Sequence, residues 1–207
     1  MIVSHTHQFI YFAVPKTATH AIRFALREHL RENDWEQVEL FHHSRLPFSE
    51  FKELSHGHIT ASEAQQALGE KVWNSYFKFA FVRNPFDRFI SYSFFRNKHS
   101  ELFRKSKLAK MKLSFQDKSV LKDALFQPQF KFIENENGKS MLDFVGQYEN
   151  LQEDFNFIAE RIGIPSAKLK SLNNTNHQNY RQYYDEELKE LVGNYYQRDI
   201  EFFDYSF

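Results

Sequence analysis

The chain contains no cysteine, which excludes disulfides, thiolate zinc sites and a cysteine nucleophile at once, and a reducing compartment is its natural setting. It also lacks a net charge, since 27 lysines and arginines offset 27 aspartates and glutamates. No overall field draws it to nucleic acid or to an anionic membrane, so charge-driven recognition must be local. No apolar run approaches the ~20 residues of a spanning helix, and the first residues have neither the basic nor the apolar region of a secretory signal. A cytoplasmic protein with no nucleic-acid partner and no integral membrane segment is expected. Glycine is missing between Met1 and Leu54, so no glycine-rich nucleotide loop of the G-x-x-x-x-G-K-[ST] kind occurs there.

What the chain does have is apolar mass. A hydrophobic fraction of 42% with 24 phenylalanines argues for a folded core, and 207 residues fit a single domain, 1–207. No internal repeat, low-complexity tract or linker breaks the sequence. Residues 7–14 read as a buried strand, and 18–31 as a helix with Ile22, Leu26 and Leu30 on one face. Residues 37–43 read as a short second strand, and Ser62 as the cap of a short helix to Leu68. Residues 76–82 form an aromatic run of strand length ending at Arg83-Asn84-Pro85, where proline opens the next helix. A strand over 143–148, a helix over 149–163 and a closing helix over 185–203 complete the pattern. Such alternation predicts an α/β fold, a mostly parallel central sheet flanked by helices, with ligands at the carboxyl ends of the strands.

Two loops fall at such ends. Ala13-Val14-Pro15-Lys16-Thr17-Ala18-Thr19-His20 leads from strand to helix, so backbone N–H groups, the helix dipole and the Lys16 charge converge on one spot suited to an anion. In the second, Arg83 stands at a strand end and Ser91 two helical turns on, a guanidinium fork and a hydroxyl suited to phosphate. A magnesium-dependent kinase would end that strand in a metal-binding aspartate instead.

Together these loops resemble those of the sulfotransferases that use 3′-phosphoadenosine 5′-phosphosulfate (PAPS). Pro15-Lys16-Thr17-Ala18-Thr19 is similar to that family's 5′-phosphosulfate loop, commonly P-K-T-[GA]-[ST]-[ST]. Phe81-Val82-Arg83-Asn84-Pro85 through Ser91 is similar to its 3′-phosphate site, with the same arginine-to-serine spacing. His56-Gly57-His58 resembles the H-G-H segment of the uronyl 2-O-sulfotransferases, in the carbohydrate branch. The tail resembles that branch too, in Tyr148-Glu149-Asn150-Leu151, His177-Gln178-Asn179-Tyr180, Tyr183-Tyr184-Asp185 and Arg198-Asp199-Ile200.

The resemblance implies a P-loop-NTPase-like sulfotransferase fold and metal-free transfer of a sulfuryl group from PAPS to a hydroxyl, on a carbohydrate or small-molecule acceptor. It implies Lys16, Thr17, Ala18, Thr19 and His20 at the 5′ end of the donor, and Arg83 and Ser91 at its 3′-phosphate. His58 becomes the general base, a role that suits an imidazole near neutral pH. Lys16 stabilises the leaving oxygen, and His56 orients His58 or the acceptor. The chain departs from the family pattern at His20-Ala21, where small hydroxyl residues are usual; backbone donors at a helix start survive that change.

Other readings stand beside these. His177 and Arg181, in the turn-rich loop 173–181, are candidate substrate contacts or plain surface residues. Arg83 could pair with Asp87. His56 and His58, with His42 and His43, lack the carboxylate pattern of a metal site. The basic stretch 96–112 could meet an anionic glycan or be a solvated face. An atypical P-loop small-molecule kinase, or a non-catalytic nucleotide- or glycan-binding protein, would also use such loops. Acceptor identity and oligomeric state are not legible in the sequence.

Overall fold

The computed structural model describes residues 1–36, 47–48, 51, 58–169 and 179–207. The chain divides into two compact units, residues 1–82 with 131–172, and residues 83–130 with 173–207.

The first unit holds a five-stranded sheet. Its strands are β1 (Ile2–Ser4), β2 (Phe9–Phe12), β3 (Trp35–Glu36), β4 (Phe77–Val82) and β5 (Phe144–Gln147), in the order β3-β1-β2-β4-β5. The pairs β2–β4 and β4–β5 are parallel, with Phe12 opposite Ala80 and Val82 opposite Gln147. On the other side β1 runs antiparallel to both β2 and β3. The predicted strand over 7–14 is thus shorter, and an unforeseen hairpin precedes it, turning through a left-handed Gln8 (φ 51°).

Side-chain alternation along the parallel strands explains why both faces are covered. Phe9, Tyr11, Phe79 and Phe81 share a core with Ile22 and Leu26 of α1 (Thr19–Arg27), and with Phe155 and Ile158 of α7 (Leu151–Arg161). Phe12 faces the other way and meets Trp73 of α2 (Ala61–Ser75), ring centroids 6.2 Å apart. Helix α1 stops at Arg27 rather than Arg31. There Asp34 accepts from the N–H groups of Arg31, His5 and Thr6, which draws the chain into a turn. The start of α2 is a capping box at Thr60: its hydroxyl accepts from Glu63 N–H and the Glu63 carboxylate accepts from Thr60 N–H. Ser62, expected as the cap, instead donates to Glu134 O.

The second unit is helical. Helix α3 (Pro85–Arg96), with Pro85 in its first turn, packs its Phe89 and Ile90 around Phe126, together with Leu188 and Val192 of α8 (Glu186–Tyr195). Three short helices lie between, α4 (Glu101–Lys105), α5 (Lys107–Leu113) and α6 (Lys118–Leu121). The closing helix predicted over 185–203 is two, α8 and α9 (Gln197–Phe202). They break at Tyr196, a buried residue whose hydroxyl donates to Phe126 O at 2.7 Å. Arg88 is fully buried here, stacked 5.1 Å from the Tyr196 ring and donating to Leu125 O and Gln127 O.

Gly146 in β5 shows how tightly the sheet is packed: a Cβ there would lie 2.6 Å from the Phe81 ring and 3.1 Å from Asp154 Cβ. Gly146→Ala should therefore destabilise the protein by about 1–3 kcal/mol, read as a lowered urea midpoint. An unchanged midpoint would contradict this packing.

Candidate active site

The loop after β2 has an unusual backbone for its composition. Lys16 (φ 68°) and Ala18 (φ 62°, ψ 27°) are both left-handed, a conformation that costs a non-glycine residue roughly 1–2 kcal/mol. Such strain persists where the surroundings over-determine it, and it concentrates at functional sites. Thr17, between the two, is buried and donates its hydroxyl proton to Val14 O at 2.9 Å, closing the loop on itself. Its side chain thus braces the loop.

Helix α1 begins directly from this loop. Its cap residue, Ala18, offers no side-chain hydrogen bond, and the first turn carries no acidic residue. Among the described residues nothing accepts from the N–H groups of Thr19 or His20. A helix start left open in this way is a site for an anion, and Lys16 adds a full charge beside it. The His20 ring is exposed. Desolvation from packing around it, then the cations Arg23, Lys16 and Arg27, push its pKa below the usual histidine value and keep it neutral.

His58 belongs to the same compact unit. It is 4% exposed, and its Nδ1 lies 2.7 Å from Ala13 O, at the root of the Lys16 loop. A carbonyl can only accept, so Nδ1 carries a proton, and in the neutral ring the lone pair is on Nε2. The ring is further set by an edge contact with Phe132, centroids 6.3 Å apart. The structure thus brings Lys16, Thr17, Ala18, Thr19, His20 and His58 together around one loop. His56, expected beside His58, lies outside the described residues.

In the second unit Arg83 is 6% exposed and its Nε donates to Asp87 Oδ2 at 2.8 Å, with Nη2 2.7 Å from the same oxygen. Asp87 orients the guanidinium and takes part of its charge. Ser91, 4% exposed, lies one turn beyond Asp87 on the same face of α3. The Arg83 backbone is clamped at both its polar groups. Its N–H donates to Gln129 Oε1 at 2.9 Å, and Gln129 Nε2 donates to Arg83 O at 2.8 Å. Gln129 is held in turn by Asp199, whose carboxylate accepts from the N–H groups of Gln129 and Phe130. Burial raises the Asp199 pKa, while Arg88 and these hydrogen bonds act the other way. Sequence reasoning missed Gln129 as a positioning residue. The only signal was Asp199, in the tail motif, and nothing local connects it to Arg83.

His177 lies outside the described residues. Arg181 sits on an exposed turn with its guanidinium over Tyr180 (4.8 Å) and Phe207 (5.7 Å). In the basic stretch 96–112, Lys112 is bound by Asp185 at 2.7 Å and by Glu187, while Arg104 and Lys105 face solvent. Among the described residues no three His, Asp or Glu side chains gather as a metal site would require.

Comparison with known proteins places the chain in a family. The chain is 26% identical over 212 residues to carbohydrate sulfotransferase 11 of Mus musculus, covering 82% of this chain and 54% of that protein. It is 27% identical over 192 residues to carbohydrate sulfotransferase 14 of Danio rerio, covering 80% and 48%. The chain therefore spans about half the length of these curated relatives. It is also 30% identical over 118 residues to an uncharacterised protein of Archaeoglobus fulgidus, covering 56% of this chain and 91% of that one. No solved structure matches. A model of the sulfotransferase family matches residues 1–206, and with the anion loop on the carboxyl end of a parallel strand this chain belongs to the sulfotransferase family.

Proposed function

We propose that the chain moves a sulfuryl group from PAPS to a hydroxyl of a carbohydrate, and that residues 1–207 act as one catalytic domain. The observation that carries this reading is the imidazole of His58, rooted at the loop that carries Lys16, with its Nδ1 proton committed to Ala13 O and its lone pair therefore on Nε2. The carbohydrate acceptor is supported by the names of the relatives, carbohydrate sulfotransferases 11 and 14. The family match over residues 1–206 supports the single domain.

The open N-terminus of α1, acid-free and beside Lys16, fits the 5′-phosphate end of such a donor. When bound, the donor supplies a sulfuryl group whose bond to the phosphate oxygen breaks as the acceptor oxygen bonds to sulfur, leaving adenosine 3′,5′-bisphosphate. His58 Nε2 takes the proton of the acceptor hydroxyl, which keeps that oxygen nucleophilic as it attacks. Lys16 stabilises the negative charge gathering on the leaving phosphate oxygen, with the N–H groups of Thr19 and His20 as fixed donors. Arg83 and Ser91 hold the 3′-phosphate, with Gln129 and Asp199 setting the backbone of Arg83.

Incubation with PAPS labelled on the sulfuryl group, over a panel of uronate-bearing, neutral and small-molecule acceptors, should give labelled carbohydrate. His58→Ala should lower turnover by about 10²–10⁴-fold, while the affinity for adenosine 3′,5′-bisphosphate, measured by calorimetry, stays within about threefold. Undiminished turnover in that variant would remove His58 from the role of base. Failure of the native chain to label any acceptor would overturn the transfer reading.

His20 gives a pH signature. Its free-state pKa lies below the usual value, and a phosphate nearby favours the imidazolium and raises it. Binding therefore takes up a proton, and affinity for the bisphosphate should rise as pH falls through the raised pKa of the bound ring. His20→Gln should flatten that rise; an equally steep profile in the variant would place the ring away from the anion.

A further inference from the structure

The sheet has a second end, and a cavity lies there. Its volume is 510 Å³, within the range of about 300–1,000 Å³ usual for small-molecule sites. The lining comes from the residues that precede or open β2, β4 and β5, among them Gln8, Phe77, Lys78, Asp143 and Phe144, and from the last turns of α2 and α7. These are the amino ends of the parallel strands, whereas the Lys16 loop leaves from a carboxyl end. About 17 Å of extended chain separates Gln8 from Ala13.

The wall of this cavity combines aromatic faces with unengaged polar groups. Phe157 of α7 is 49% exposed, and its ring lies 4.8 Å from Phe144 at 38°. One helical turn on, Arg161 holds its guanidinium 5.5 Å over the Phe77 ring, and among the described residues no carboxylate or carbonyl accepts from it. The side-chain amides of Gln8 and Asn74, both exposed, likewise make no hydrogen bond with described residues. Also in the lining, Lys78 and Asp143 cancel each other's charge, 2.8 Å apart, with Lys78 also donating to Trp73 O and Tyr76 O. His7 commits Nδ1 to Ile162 O. Arg161 is thus the one lining charge without a described counter-charge.

An apolar ring face, amides that donate and accept, and an open guanidinium fork are the complement of a sugar ring that carries an acid. The C–H face of such a ring would stack on Phe157 and Phe144 and its hydroxyls would meet Gln8 and Asn74. Its carboxylate or sulfate ester takes the two-pronged donor of Arg161. We propose that this cavity is a second glycan-binding site, one that holds an anionic saccharide at the opposite end of the sheet from the transfer loop. It uses none of the groups assigned to donor or base, so it stands or falls independently of the transfer chemistry.

Hydrogen exchange of the full chain with a hyaluronan octasaccharide, a heparin octasaccharide and neutral maltooctaose tests this. Either anionic octasaccharide should slow exchange in segments 74–78 and 157–162. Protection by hyaluronan assigns a carboxylate to Arg161, and protection by heparin alone a sulfate ester. Arg161→Gln and Phe157→Ala, both at exposed positions, should each raise the midpoint concentration of that protection about tenfold. Neither should change the affinity for adenosine 3′,5′-bisphosphate, and His58→Ala should leave the protection intact. No protection of these segments, equal protection by maltooctaose, or protection indifferent to both variants would overturn the proposal, whatever the chain transfers.

Discussion

Everything in the candidate site depends on the parallel pairing of β2 with β4. Because Phe12 stands opposite Ala80 with both strands running the same way, the chain leaves both strands at one edge of the sheet. There β2 gives way to a loop and the start of a helix, where backbone N–H groups have no strand partner and a dipole points outward. The antiparallel β1–β3 extension lies on the far side of β2 and leaves that edge unchanged. Its ties are separate, chiefly Glu36, which receives Arg23 and Arg27 of α1 at 3.3 and 2.7 Å.

The Lys16 loop then illustrates how a site can be held without glycine. Two residues occupy left-handed backbone that glycine adopts freely, and the buried Thr17–Val14 hydrogen bond sits between them. Folding energy from the surrounding core, Phe9, Tyr11, Ile22 and Phe79 among it, offsets that strain. The arrangement positions Lys16 rigidly and leaves α1 uncapped. A side-chain cap would stabilise the helix and fill the place of an anion. At the other candidate anion group, rigidity comes from a buried amide instead: Gln129 holds both polar groups of the Arg83 backbone.

Much of this was legible in the sequence, for identifiable reasons. The apolar runs into Val14 and Val82 marked β2 and β4, Pro15-Lys16 and Pro85 marked the exits, and 3.6-residue spacing marked α1, α3 and α7. The Arg83–Asp87 pair was open to reading because four residues make one helical turn. Long-range closures were not legible. Nothing between positions 83, 129 and 199 forecasts their hydrogen bonds, and no local pattern sends His58 Nδ1 to Ala13 O, 45 residues earlier in the chain. The hairpin at Ile2–Ser4 escaped because its strands are short and its turn uses Gln8 where asparagine or glycine is usual. The cap at Thr60 was misplaced because Thr60 and Ser62 are equally good caps by residue type. Each also has a capping-box partner three residues on, Glu63 for Thr60 and Gln65 for Ser62, so the sequence alone does not decide between them.

The proposed transfer requires the chain to recognise an adenosine phosphorylated at both its 3′ and 5′ positions. Titration calorimetry with adenosine 3′,5′-bisphosphate, set against adenosine 5′-phosphate and against ATP with magnesium, tests it most directly. The bisphosphate should bind at least about tenfold more tightly than either competitor, and Arg83→Ala should erase the preference over adenosine 5′-phosphate. Equal affinity for the bisphosphate and adenosine 5′-phosphate, or a preference for ATP with magnesium, would contradict it.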